Sequence, residues 1–123
     1  MKLAVVVWAV VASCANVAEE PPRACTEIGC SDGLAVEVNS SLTQSITVSV
    51  RAGAQELHTF RCDPGQPCRA FIENQTPAEV TVVVQTAQGD VSKTYRPAYQ
   101  INRPNGPGCP PDCKQATVTV ALS

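Results

Sequence analysis

The chain has 123 residues, a formal net charge of −2 and 44% hydrophobic residues, enough for one domain with one core. Nine basic residues stand against eleven acidic ones, and the arginines are scattered rather than clustered. That balance excludes the Lys/Arg patches that nucleic acid and anionic lipid head groups select.

The first element is the stretch Met1-Lys2-Leu3-Ala4-Val5-Val6-Val7-Trp8-Ala9-Val10-Val11-Ala12-Ser13-Cys14. One positive residue leads a short apolar run that stops at small residues, the layout of an export signal rather than a spanning helix. Val11-Ala12-Ser13-Cys14 resembles the lipobox of bacterial lipoproteins. The resemblance implies cleavage before Cys14, a diacylglycerol on its thiol and acylation of the new N-terminus, with 1–13 as signal peptide. It also implies a place in the bacterial cell envelope. Ala15 rather than Asp follows the cysteine, which in a Gram-negative host implies sorting to the outer membrane. A second cut is open: Ser13-Cys14-Ala15 also fits ordinary signal peptidase and would release a secreted chain from Asn16. Trp8 leaves with the signal. So does Lys2, which leaves eight basic against eleven acidic residues and a net charge of about −3.

Residues 15–24 contain Glu19-Glu20-Pro21-Pro22, with no apolar face to bury, and read with Cys14 as a flexible tether over 14–24. From Cys25 on, short strands are expected. Leu34–Val38 mixes apolar and other residues. Ser45–Arg51 alternates, with Ile46, Val48 and Val50 on one face and Thr47, Ser49 and Arg51 on the other. Residues 55–62, 68–73 and 90–95 are less regular strands. Glu79–Gln85 is more apolar and suits a central strand, and Ala116–Leu122 alternates again with Val118, Val120 and Leu122 inward. Period two means a half-buried strand. Turn residues separate the strands at 52–54, 63–67, 74–77 and 88–90. No stretch has helical periodicity. About seven short strands over 25–123 predict an all-β fold, an antiparallel β-sandwich of immunoglobulin-like or transthyretin-like topology.

The chain has seven cysteines. An odd number leaves a stray thiol in an exported protein, and assigning Cys14 to the lipid or to the discarded signal leaves six that can pair. Cys62 and Cys68 flank Asp63-Pro64-Gly65-Gln66-Pro67, and the base of a hairpin there brings them within disulfide range. Cys25, Cys30, Cys109 and Cys113 form two close pairs in sequence. Their bonding is open. Chain entropy favours bonds that cross between the pairs and close long loops, whereas proximity favours local ones. The spacings are wrong for zinc and no Cys-x-x-Cys is present, so no metal, cofactor or redox role is expected.

The segment Asn102–Cys113 is half Pro and Gly, and it is the expected site if the domain binds anything, with Arg103, Asn105 and Asp112 as candidate binding residues. Together with Ile28-Gly29-Cys30, the Pro104-Asn105-Gly106-Pro107-Gly108-Cys109 run resembles an uncharacterised family of bacterial lipoproteins and exported proteins. That resemblance implies no activity. His58 shares a strand face with Phe60 and has no nucleophile in a recognised motif beside it, so no catalytic set is expected. The sequence therefore reads as a lipid-anchored envelope protein with a non-catalytic structural or protein-binding domain. Its expected partners are the membrane, through the anchor, and an envelope protein of unknown identity. The alternative is a soluble secreted inhibitor or small enzyme that uses the loop 102–113.

Overall fold

The computed structural model describes residues 24–122. The expected signal peptide, Cys14 and residues 15–23 of the tether lie outside the described residues. The rest is all-β. Eight strands follow one another: β1 (Gly33–Asn39), β2 (Ile46–Ala52), β3 (Gln55–Cys62), β4 (Arg69–Glu73), β5 (Val80–Thr86), β6 (Gly89–Tyr95), β7 (Gln100–Asn102) and β8 (Cys113–Ala121). They form two four-stranded sheets, ordered β4-β1-β8-β7 and β3-β2-β5-β6, the layers of a sandwich.

The alternation read from sequence sets the core. Ile46, Val48 and Val50 of β2 and Val80, Val82 and Val84 of β5 are buried from one sheet. Leu34, Val36 and Val38 of β1, Ile72 of β4, and Ala116, Val118 and Val120 of β8 meet them from the other. Branched side chains suit this pleated surface, and each fully buried one contributes about 1.5–3 kcal/mol. β1 is tightly packed on its other side too, where Ala35 is buried. The Phe71 ring lies over Gly33 there: a Cβ on that glycine would stand 2.5 Å from both Ile72 O and Phe71 Cζ. His58 and Phe60 share a face of β3, as expected, with nearly parallel rings 5.8 Å apart.

Three features depart from the expected picture. An eighth strand, β7, is present, paired with the start of β8. β1 and β8 run parallel, Gly33 opposite Gln115 through Asn39 opposite Ala121, while every other pairing is antiparallel. A parallel pair needs a long connection, and here almost the whole domain separates the two strands. β1 and β2 lie in different sheets, whereas the first two strands of an immunoglobulin domain share one.

The parallel pair gives the sandwich two distinct poles. The segment before β1 and the loop before β8 lie together at one end, the near pole. The 40–45 loop, the β5–β6 turn and the end of β8 lie at the other, the far pole.

Candidate functional site

The near pole is built around two cysteine-bearing segments, 25–30 and 109–113. Cys25 is bonded to Cys109 and Cys30 to Cys113, with Cα–Cα separations of 5.6 and 6.1 Å. These are the crossing pairs that chain entropy favoured. Between them Asn105 acts as a hub. Its Oδ1 accepts from the Thr26 hydroxyl at 2.7 Å and from the Ile28 N–H at 2.9 Å. Its Nδ2 donates to Ile28 O at 2.8 Å and to Pro110 O at 2.7 Å. A side-chain amide presents one donor face and one acceptor face, so here it pairs with the Ile28 backbone as a neighbouring strand would. The turn that brings Asn105 there closes through Gly106 N–H to Arg103 O, 3.0 Å, with Gly106 at φ 88°.

The segment before β1 is tied down as well. Asp32 Oδ1 accepts from Lys114 N–H at 2.7 Å, Gln115 Nε2 donates to Ser31 O at 2.8 Å, and the Ser31 hydroxyl donates to Glu73 at 2.8 Å. Arg103 and Asp112 face each other at 3.5 Å, each about half exposed. A pair so exposed contributes at most about 1 kcal/mol. The structure therefore brings all three expected binding residues to the same pole. It places Asn105 inward as a tie and Arg103 against Asp112. The large apolar side chain that the pole exposes is Ile28, 54% exposed, beside Pro110 and among exposed polar residues such as Glu27.

Next to β7, burial of the phenol raises the pKa of Tyr99 above its ordinary value; its hydroxyl donates to Pro77 O at 2.6 Å, and Lys114 Nζ sits 5.0 Å from the ring centroid.

The far pole holds the third disulfide. Cys62 and Cys68 are bonded, with a Cα–Cα separation of 5.3 Å, as expected. The expected hairpin is not what joins them. β3 and β4 belong to opposite sheets, so this bond staples the corner where the chain crosses between layers. Beside it the Ser45 hydroxyl donates to Asp63 at 2.6 Å, and Arg61 Nε reaches the same oxygen at 3.1 Å. Those two contacts, Ser45 first, hold the Asp63 carboxyl below its ordinary pKa.

A cleft of about 410 Å³ opens at this pole between the 40–45 loop, the β5–β6 turn and the end of β8. Leu42, Ile46, Val91 and Leu122 supply its apolar lining, and Ser and Thr hydroxyls its rim. Lys93 is the one charged residue lining it, and its Nζ donates to Ala121 O at 3.2 Å. The sequence reading passed over this cleft. The available signal was phase: Val91, Lys93 and Tyr95 alternate in β6, which puts a lysine at a core-facing position opposite buried Val82.

Among the described residues no group of His, Cys, Asp or Glu is placed to hold a metal ion. His58 stacks on Phe60 on the edge strand β3. In comparisons with protein-family models, curated proteins and solved structures, the chain matches none.

Proposed function

We propose that this chain is a lipid-anchored protein of the bacterial cell envelope, held by an acylated Cys14, whose β-sandwich is a non-catalytic structural or protein-binding module. The observation that carries the reading is the completeness of cysteine pairing. All six cysteines from Cys25 on are in disulfides, which persist in oxidising compartments. Cys14 is then the one cysteine left over, and it closes the lipobox-like run Val11-Ala12-Ser13-Cys14. Complete pairing supports export by either cut, and the lipobox-like run favours lipidation of Cys14 over its loss with the signal.

The near pole supports a holding role in preference to a chemical one. Asn105, Asp32, Ser31 and Gln115 are spent on ties within the pole, and Cys25 opens the folded part immediately after the expected tether. In a single anchored copy standing on this pole, the cleft at the far pole is a concave surface presented away from the membrane.

The test is the intact mass of the protein extracted from cells with detergent. The expected mass is that of a chain beginning at Cys14 and carrying a diacylglycerol, with or without an amide-linked palmitate. An unmodified chain beginning at Asn16 would overturn the anchor. It would favour instead the secreted-inhibitor reading, for which the rigidity of the stapled loop 102–113 speaks. Stoichiometric inhibition of a protease, abolished by Arg103→Ala, would then be the result to seek.

A further inference from the structure

A β-sandwich leaves four edge strands, and exposed edges are usually blunted. Three of the four here are. β3 carries a bulge at the Val50/Arg51 register shift, together with Glu56, His58 and Arg61. β4 has five residues with a charge at each end, and β7 has three. β6 is the least blunted: it carries Asp90 and the core-facing Lys93, but it runs seven residues in unbroken register with β5, without bulge or proline, and all of it but Tyr95 is exposed.

The hydrogen-bonding phase of β6 follows from its turn. A two-residue connection, Ala87-Gln88, makes Thr86 and Gly89 a hydrogen-bonded pair. Such pairs alternate along an antiparallel ladder. Gly89, Val91, Lys93 and Tyr95 therefore spend their backbone groups on β5, and the N–H and C=O of Asp90, Ser92 and Thr94 point away from the sheet, unpaired within it.

These three residues are self-complementary. We propose that β6 pairs antiparallel with β6 of a second copy of this chain about a twofold axis through Ser92. That register sets Ser92 opposite Ser92 and Asp90 opposite Thr94 of the second copy, so all three outward-facing residues of each copy are paired. The Asp90 carboxylate meets a Thr94 hydroxyl, which accepts or shares a hydrogen bond with Thr81 at 3.0 Å in its own copy. On the core-side face Val91, 38% exposed, lies opposite Lys93 of the second copy, whose methylene stem covers it. No like charges stand opposite one another. The neighbouring registers are worse: a shift one way puts Lys93 opposite Lys93, and a shift the other way carries Thr94 past the strand to Gln88 in the turn.

The twofold axis gives a test that uses the full chain in its own cells. Two copies of residue 92 in a hydrogen-bonded pair stand about 5.5 Å apart at Cα, within the roughly 4.4–6.8 Å a disulfide accepts. Ser92→Cys is expected to run as a covalent homodimer on a non-reducing gel. Asp90→Cys, equally exposed but four residues from its symmetry mate, is expected to run as monomer. Homodimer from both or from neither overturns the proposal, as does a Ser92→Cys adduct with a different protein, which would make β6 a dock for another chain. The complementary variant is Ser92→Pro. It deletes an outward N–H and no bond to β5, so the fold stays intact by circular dichroism while sedimentation of the detergent-extracted protein shifts from dimer to monomer. A dimer that persists in Ser92→Pro also overturns it.

Discussion

The two long-range disulfides lie side by side, and this predicts a specific failure of additivity. Cys25–Cys109 and Cys30–Cys113 span 84 and 83 residues. In the chain-entropy model a single bond closing such a loop contributes about 4.6 kcal/mol by constraining the unfolded chain. The second bond then closes only the small ring formed by 25–30 and 109–113, of roughly ten residues, and adds about 2.7 kcal/mol. Removing either bond as an alanine pair should therefore cost about 2.7 kcal/mol, because the other still closes the long loop. Removing both should cost about 7 kcal/mol, some 2 kcal/mol beyond the sum of the single losses. The assay is urea unfolding of the parent, Cys25→Ala/Cys109→Ala, Cys30→Ala/Cys113→Ala and the quadruple variant, with an osmolyte added if the last is unfolded in buffer. Each variant pair also trims buried sulfur, Cys109 in one and Cys113 in the other, and those costs enter both sides of the comparison. A quadruple variant that loses no more than the sum of the two pairs would refute the reasoning.

Other consequences can be checked on the same protein. Asn105→Ala removes the amide that joins Thr26, Ile28 and Pro110; it should lower stability by about 2 kcal/mol in denaturant titration. Asn105→Asp should be at least as damaging, because it turns two donations into contacts between oxygens. Gly33→Ala forces a Cβ against Ile72 O and Phe71 Cζ and should cost about 1–3 kcal/mol. Adding Phe71→Ala should recover only part of that, since the backbone oxygen remains; full recovery in a thermal melt would show that the ring alone sets the limit. The lowered pKa of Asp63 means its contribution is present above the ordinary carboxylate value of 3.8 and is lost as pH falls through the still lower folded value. Asp63→Asn should thus flatten the acid limb of the stability–pH curve and leave the neutral region's slope unchanged. Tyr99 acts at the other end: its raised pKa favours the folded state's protonated phenol, so stability should fall as pH climbs above about 10, and Tyr99→Phe should remove that fall.

The strands were legible because their burial is one-sided. In β2 and β5 the buried valines alternate with residues that reach solvent or the outer face, and nothing but a strand gives that period. β7 was not legible: Gln100-Ile101-Asn102 is too short to show a period, and its pairing comes from β8. The parallel contact of β1 with β8 joins the two ends of the domain, and no local pattern encodes such a contact. Spacing read Cys62–Cys68 correctly although the supposed hairpin is a crossing between sheets, because a short loop holds its ends close in either arrangement. For the other four cysteines spacing favoured local bonds, and only the entropy of the unfolded chain pointed to the crossing pairs that form. Asn105 was singled out by loop composition, yet its chemistry turns inward. A sequence shows that an asparagine can both donate and accept but not that the Ile28 backbone lies within reach. The cleft was hidden for a similar reason. Ser40-Ser41-Leu42-Thr43-Gln44 reads as an ordinary loop until the end of β8 is brought beside it.

The proposed anchor and the proposed pairing constrain each other through the geometry of the poles. The tether joins the near pole, and β1 spans about 23 Å from there toward the cleft. A twofold axis perpendicular to β6 reverses strand direction, so the two copies of a dimer send their near poles, and with them their tethers, in opposite directions. Two anchors in one membrane then leave both near poles at the same height only if the strands lie along the membrane surface. The tether permits this: ten residues reach at most about 35 Å, more than the length of the strands. A lone copy has no such requirement and is free to stand on its near pole with the cleft outward. Pairing through β6 therefore exchanges a standing domain for one lying down, and it brings the cleft of each copy, lined by Val91 and Lys93 of the same strand, close to the membrane plane. Whatever occupies that cleft meets it in one setting or the other according to whether β6 is paired.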